Sequence, residues 1–243
     1  MKQKEKTWKN QKVTPEDNSE ELNHNNAPEK TPSMKTIHTG GINYLEPLNC
    51  FWMWGMDYTS GDLYEAEELY RNGHQIRQNR LIFVHTLDGR VEEPIKAKEG
   101  QYFGKPAFDD GVTVILLANF PAEEIRLFRY NNDLDELSSI VTLPRSEAED
   151  CYNLMVHFSP LMLTRQANNR LQVIWPEKAD FPIHPAESLV FREGDSLFFS
   201  RWYEDPDYRE EVVVRRFPSG EITDQFRGSL NPMSNGQHWL LTE

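Results

Sequence analysis

Two segments of this chain recur, in the same order, further along the sequence. Residues 108–116 (FDDGVTVIL) match residues 191–199 (FREGDSLFF) at an offset of 83. Both read as phenylalanine, two polar residues, glycine, a variable residue, a hydroxyl residue and three apolar residues. Residues 123–130 (EEIRLFRY) match residues 210–217 (EEVVVRRF) at an offset of 87. Two matches in the same order predict an internal structural repeat made of short apolar strands.

Additional copies place the period near 44 residues. Successive strands of similar pattern are separated by steps of 46, 44 and 43 residues, and they contain Arg80, Arg126, Arg170 and Val213. Four copies can be traced, with starts near residues 50, 102, 150 and 188. Pairing of residues 35–49 with residues 229–243 would make or complete a fifth copy, with residues 237–241 as the closing strand.

Turn residues separate the predicted strands within each copy. The pair Asp88-Gly89 follows residues 80–87 and is a strong hairpin signal, because a two-residue hairpin turn needs residues that tolerate positive φ. Further turns are predicted at residues 110–111 (DG), 193–195 (EGD) and 218–220 (PSG). We therefore expect antiparallel strands joined by short loops.

This repeating unit resembles the blade of a β-propeller, which consists of four short strands and needs no helix. The sequence is similar to β-propeller proteins in general, and it has no WD dipeptide that would indicate one particular family. The resemblance implies an all-β fold with four or five blades, closed into a ring that leaves only short strand edges unpaired. A β-sandwich or β-barrel built from similar hairpins is the alternative.

One stretch departs from the β pattern. Residues 62–73 (DLYEAEELYRNG) begin with Asp62 and have Glu65 three residues later, as in a capping box, and Gly73 is a suitable helix stop. The apolar residues recur at helical spacing, whereas a strand would place two glutamates on the apolar face. We predict a short helix here, and a strand is the alternative.

The first 33 residues differ in composition from the remainder. They are rich in Lys, Glu, Asn, Pro and Ser, and Trp8 is their only aromatic residue. Such a segment cannot bury enough apolar surface to offset the entropy lost on ordering. Residues 1–33 are therefore predicted to be a disordered tail, and residues 34–243 a β-repeat domain. A partner-binding tail anchored by Trp8 is the alternative.

The charge of the chain limits the classes of partner. The net charge is −13, and residues 1–33 contain six lysines against six acidic residues, so the whole excess of acid belongs to residues 34–243. An acidic surface repels phosphate groups, so we expect no nucleic-acid partner and no membrane partner. The sequence shows no signal peptide, no apolar run long enough to span a bilayer, and only two well-separated cysteines, Cys50 and Cys151. We therefore predict a cytoplasmic protein with reduced thiols.

The sequence contains no recognisable catalytic or cofactor motif. Phosphate-binding glycine loops, the GxSxG nucleophile elbow and the HExxH zinc motif are all missing, and no two of the seven histidines lie four residues apart. We predict no cofactor and no metal site. Strand histidines such as His85 and His157 are expected to be packed side chains.

Aromatic residues beside acids give the best candidates for a binding site. One group is Trp52, Trp54 and Asp57, and the other is Trp202, Tyr203, Glu204 and Asp205. Aromatic rings next to carboxylates suit sugar stacking or a protein interface. For Trp52 and Trp54, packing between blades is the competing interpretation, because the two residues alternate along a predicted strand.

Two functions are consistent with these residues. The first is a binding or scaffold module that presents an acidic, aromatic-containing loop face to a protein or a small ligand. The alternative is a carbohydrate-active propeller enzyme with paired carboxylates, for which the candidates are Asp57, Asp109, Asp110, Glu204 and Asp205. Only the enzyme requires two carboxylates that converge in a central pocket, about 5–10 Å apart.

Overall fold

The strands form four successive antiparallel sheets in a four-blade propeller arrangement, which confirms the predicted all-β fold. The computed structural model describes residues 34–73, 79–109, 111–158, 160–233 and 237–242. Residues Ile37–Glu243 form one compact unit. The predicted disordered tail, residues 1–33, lies outside the described residues and stays a prediction.

Sheets 1 and 2 occupy the first half of the described chain. Sheet 1 contains β1 (Glu46–Pro47), β2 (Trp52–Met56), β3 (Leu81–His85) and β4 (Val91–Glu92), in that spatial order. Sheet 2 contains β5 (Gln101–Phe103), β6 (Ala107–Asp109), β7 (Val112–Asn119), β8 (Glu124–Asn131) and β9 (Glu136–Pro144). Both β5 and β6 pair with β7, so the first strand of sheet 2 is interrupted at residues 104–106.

Sheets 3 and 4 have four continuous strands each, and a hairpin follows them. Sheet 3 contains β10 (Leu154–His157), β11 (Met162–Ala167), β12 (Arg170–Trp175) and β13 (Ala179–Pro182). Sheet 4 contains β14 (Glu187–Glu193), β15 (Ser196–Tyr203), β16 (Arg209–Arg216) and β17 (Ile222–Arg227). The hairpin pairs β18 (Ser229–Pro232) with β19 (His238–Leu241).

The sequence repeat corresponds to one equivalent strand in each sheet. Arg80 directly precedes β3, and the other repeat markers lie in the third strands β8, β12 and β16. The predicted fifth copy takes another form, because β18 pairs with β19 and β1 pairs with β2. Within the described residues, the two end segments form no sheet together.

The predicted helix is present as α1 (Leu63–Arg71), inserted between the second and third strands of sheet 1. The Asp62 carboxylate caps it by accepting hydrogen bonds from the backbone N–H groups of Tyr64 (2.9 Å) and Glu65 (3.2 Å). Gly73 has φ of 72°, a left-handed conformation that glycine adopts without steric cost after a helix end. The strand alternative for this stretch is therefore wrong.

Neighbouring sheets are joined by separate apolar clusters. Sheets 1 and 2 share a cluster that includes Trp52, Trp54, Phe83, Phe103 and Tyr130. Sheets 2 and 3 share a larger cluster, to which α1 adds Leu63 and Ala66, and sheets 3 and 4 share a third. The outer face of sheet 1 packs against residues 37–45. Among the described residues, none of these clusters combines side chains of sheets 1 and 4.

The loops divide into two faces because strands alternate in direction within each sheet. The helix face contains the loops after the second strands and the linkers between sheets, and α1 lies there with residues 120–123 and 145–153. Contacts support this assignment, since the ring of Tyr70 in α1 stacks on Phe120 at 5.3 Å. The hairpin face contains the remaining loops, including residues 86–90 and 132–135.

The only helix longer than one turn in the described residues has nine residues, and none there is long and apolar enough to cross a membrane.

Candidate functional site

A cavity of about 410 Å³ opens between the start of α1, sheet 2 and sheet 3. Its wall has three parts: residues 60–63 at the start of α1, residues 105–107 at the interruption of sheet 2, and residues 151–156 at the start of sheet 3. Most of this wall is apolar, with Leu63, Leu154 and Val156 buried and Met155 45% exposed. A volume of this size lies in the ordinary range of ligand pockets, roughly 300–1,000 Å³.

The first part of the wall follows a turn with unusual backbone geometry. Tyr58, Thr59 and Ser60 have φ of 54°, 41° and 44°, and Gly61 follows with φ of 85°. Residues other than glycine rarely adopt such φ values, because their Cβ then crowds the following carbonyl oxygen. A Cβ on Gly61 would also lie 2.7 Å from the backbone nitrogen of Lys105. Strained turns of this kind concentrate at binding sites, since the surrounding packing must hold them.

The second part of the wall is the break in the first strand of sheet 2. Lys105 lies there with its ammonium 2.8 Å from a Glu46 carboxylate oxygen and 5.6 Å from the ring centre of Trp54. Pro106 has no N–H to donate to a neighbouring strand. Lys105 is 56% exposed, so it provides a cation at the cavity entrance whose charge one carboxylate already balances.

The third part of the wall is held in place from α1. The buried Glu67 carboxylate accepts the backbone N–H of Cys151 at 3.1 Å and pairs with Arg71 (2.6 Å) and Arg145 (2.7 Å). Burial, with a smaller effect from the negative Glu67, raises the pKa of the Cys151 thiol to about 12. At neutral pH this thiol stays protonated, so Cys151 serves as a wall residue and not as a nucleophile.

The rim of the cavity on the helix face is aromatic and acidic. The rings of Tyr64 and Tyr152 meet edge to face at 5.5 Å, and both are partly exposed. The negative charge of Glu68, with a further contribution from Asp150, raises the pKa of Tyr64. The effect of these two carboxylates on the Tyr64 phenol exceeds the opposing effect of the Arg71 charge. Tyr152 also lines the cavity, so rim and cavity are continuous.

The structure places the first predicted group mostly in the protein core. Trp52 and Trp54 are 2% and 3% exposed and pack between sheets 1 and 2. Asp57 is partly exposed after β2, and burial raises the pKa of its carboxyl group. Its backbone N–H donates to the Arg80 carbonyl at 3.1 Å, and its carbonyl accepts from Asn79.

The second predicted group spans the end of β15, with Trp202 and Tyr203, and the loop that follows it, on the helix face of sheet 4. Trp202 is 45% exposed, and Glu204 and Asp205 are exposed. Tyr203 is partly buried beneath the Arg209 guanidinium, which lies 4.0 Å from the ring centre. Neither predicted group lines the cavity described above, so their roles in binding stay predictions.

The acids of the predicted carbohydrate enzyme are not brought together in this cavity. Asp57, Glu204 and Asp205 do not line it, and among the described residues that do, Asp62 is the only one with a carboxylate, which caps α1. Asp109 ends β6, and Asp110 lies outside the described residues. Among the described residues, no group of three His, Cys, Asp or Glu side chains is placed to hold a metal ion.

Sequence reasoning missed the residues that form the cavity. The available signals were Gly104-Lys105-Pro106 between two apolar runs, which breaks a strand, and Thr59-Ser60-Gly61 directly before the helix cap. Both were weaker than the aromatic clusters, because loop sequences do not show which distant segments they will meet. The chain matches no protein-family model, and no curated protein matches it.

Proposed function

We propose that this protein is a binding module that takes an apolar side chain of a partner protein into the cavity between α1, sheet 2 and sheet 3. The observation that carries this proposal is the cavity itself, about 410 Å³ in volume and walled mainly by Leu63, Leu154, Met155 and Val156. Pockets that recognise protein segments are mostly apolar and have a few polar groups at their edge.

The rigid support of the wall favours binding over a purely structural role. Glu67 joins α1 to Cys151 and Arg145, so the helix and the start of sheet 3 are fixed relative to each other. The turn at Tyr58–Gly61 is held by packing against Lys105. A preformed site loses little conformational entropy when a partner binds.

Charge complementarity indicates the kind of partner segment. Asp62 and Glu68 lie on or near the rim with Tyr64 and Tyr152, while the nearby Asp150 and Lys105 are each already paired, with Arg165 and Glu46. Acidic groups beside aromatic faces favour lysine or arginine through ion pairing and cation–π contact. The partner segment is therefore a basic one, with a large apolar residue next to a lysine or arginine.

The first test pans the purified full chain against a phage library of random peptides. We expect the selected peptides to share an apolar residue beside a basic one. Met155→Trp places an indole ring in the cavity without changing the charge. We expect this change to weaken the binding of a selected peptide at least about tenfold. The matched control is Leu87→Trp, because Leu87 is 74% exposed on the opposite hairpin face.

The rim is tested with the same selected peptide. Glu68→Gln removes one rim charge, and the affinity loss should shrink as salt is added, since exposed charges are screened. Glu136→Gln, an exposed glutamate at the start of β9, is the control. Selection of acidic peptides, or equal affinity for the Met155→Trp and Leu87→Trp proteins, would refute the proposal.

A further inference from the structure

One phenol at the interface of sheets 1 and 2 contacts two carboxyl groups at once. The Tyr130 hydroxyl oxygen lies 2.6 Å from Glu92 Oε2 and 2.8 Å from Asp135 Oδ1. Tyr130 is fully buried, with its ring stacked on Phe83 of sheet 1 at 5.6 Å. Glu92 ends β4 and is 8% exposed, whereas Asp135 is exposed in the loop before β9. This group therefore joins the two sheets, apart from the cavity on the helix face.

The number of protons in this group is fixed by hydrogen-bond chemistry. A phenol has one hydrogen to donate, and an ionised carboxylate can only accept. If Glu92 and Asp135 were both ionised, only one of the two short contacts could be a hydrogen bond. The other would hold two oxygen atoms together with no hydrogen between them. One extra proton on a carboxyl group makes both contacts hydrogen bonds.

We propose that Glu92 carries a proton and is joined to Asp135 through the Tyr130 hydroxyl, and that these three residues form a pH-sensitive clasp between sheets 1 and 2. The Glu92 carboxylic acid donates to the Tyr130 oxygen, and the Tyr130 hydroxyl donates to the ionised Asp135. Glu92 is the protonated partner because it is buried, while Asp135 reaches water.

The charged groups around Glu92 come from both sheets. Asp133 and Asp135 lie on the sheet 2 side, and both disfavour a negative charge on Glu92. On the sheet 1 side, Arg90 lies 3.1 Å from the second Glu92 oxygen, but this arginine is 45% exposed, so water screens its charge. His85 is engaged with Asp88 at 2.8 Å. Burial has the largest effect and raises the pKa of Glu92.

The direction of the pH effect follows from this raised pKa. The folded protein holds the Glu92 proton at pH values where the unfolded chain, with a glutamate pKa of 4.5, has released it. The clasp therefore contributes fully below that value and is lost as the pH rises through the folded-state pKa. Each pKa unit by which the folded-state value of Glu92 exceeds the unfolded-state value changes the folding equilibrium constant about tenfold. Burial also raises the pKa of Tyr130, which therefore stays protonated throughout.

Urea unfolding of the full chain between about pH 5 and 8 tests the clasp. The Glu92→Gln amide can donate permanently to the Tyr130 oxygen, so we expect the wild-type protein to lose stability relative to this variant as the pH rises. In Asp135→Asn, the new amide can donate to the Tyr130 oxygen, and the Tyr130 hydroxyl can then donate to an ionised Glu92. This variant should therefore also show a smaller dependence of stability on pH. Glu136→Gln removes an exposed charge one residue away and should keep the wild-type pH dependence.

Infrared spectroscopy provides a measurement that needs no stable variant. At about pH 6, above the ordinary range for a glutamate, the native wild-type protein should show the carbonyl band of a protonated carboxylic acid. The proposal fails if that band is missing. It also fails if the wild-type, Glu92→Gln and Glu136→Gln proteins show parallel changes of stability with pH.

Discussion

Glu187 shows how one buried residue can organise a whole sheet. Its side chain has no exposure, and it pairs with two guanidinium groups, Arg201 of β15 and Arg215 of β16, the latter at 2.9 Å. Arg215 also donates to the Gly220 carbonyl at 2.8 Å. Glu187 begins β14, so this network joins the first three strands of sheet 4. In the sequence, His-Pro-Ala-Glu looks like an ordinary surface loop, and nothing local shows that the acid is buried.

Glu187→Gln should be among the most damaging single changes in sheet 4. It keeps the side-chain shape but leaves the buried Arg215 guanidinium without its counter-charge and Arg201 with only Glu211 at 3.9 Å, which we expect to lower the free energy of unfolding by about 3 kcal/mol. Glu204→Gln, in an exposed loop of the same sheet, should change it by no more than about 0.5 kcal/mol. Urea denaturation measures both, and equal losses for the two variants would contradict the assigned role of Glu187.

At the scale of elements, predictability depended on whether the signal was local. The helix α1 was predictable because its cap, its apolar spacing and its stop all lie within twelve residues. The hairpin around Asp88-Gly89 was predictable for the same reason, but its loop covers residues 86–90 and is longer than the predicted two-residue turn. Two other features were not predictable from local sequence, namely the break at residues 104–106 and the turn at Tyr58–Gly61. Each of them is defined by its contact with the other. The cavity depends on that contact, so the site was less predictable than the strands around it.

Two glycines in the turns of sheet 4 provide a matched test of element packing. Gly194 has φ of 56° and open space where a Cβ would lie, whereas a Cβ on Gly220, with φ of 74°, would overlap the Phe181 ring of sheet 3. Gly194→Ala should cost only the left-handed backbone penalty, about 1 kcal/mol. Gly220→Ala should cost about 3 kcal/mol, because overpacking is added.

Thermal or urea denaturation of the two glycine variants gives the comparison directly. The difference between them measures how closely the last turn of sheet 4 is packed against sheet 3. If Gly220→Ala is no less stable than Gly194→Ala, the Phe181 ring moves aside easily and the two sheets are loosely joined.

At the scale of the whole molecule, the described apolar clusters connect the sheets in series. The sequence repeat predicted four or five blades, and the four traceable copies correspond to the four large sheets because each copy carries its own strands and turns. It could not predict which faces the ends of the chain would cover. Residues 37–45 pack on the outer face of sheet 1, and the last strands form a hairpin whose His238 ring stacks on Phe191 of sheet 4 at 3.7 Å.

Each pair of neighbouring sheets shares a buried apolar cluster within one compact unit, so we expect cooperative unfolding in which damage at one interface lowers the stability of all four sheets. Phe199→Ala opens a cavity between sheets 3 and 4, and we expect it to lower the free energy of unfolding by about 3–5 kcal/mol. Hydrogen exchange should then show the Trp54 amide of sheet 1 losing as much protection as the Val213 amide of sheet 4. Unchanged protection at Trp54 would mean that the last two sheets open independently of the first.

The cluster shared by sheets 1 and 2 also sets an order of events during synthesis on the ribosome. Trp52, Trp54 and Phe83 are made first, but their covering residues end with Tyr130, which is translated 47 codons after Phe83. Until Tyr130 has been made, the nascent chain exposes the indole rings of Trp52 and Trp54, because the cluster residues translated so far cannot cover them. Growing chains that stop between sheets 1 and 2 should therefore be the ones most strongly bound by chaperones that recognise exposed aromatic side chains.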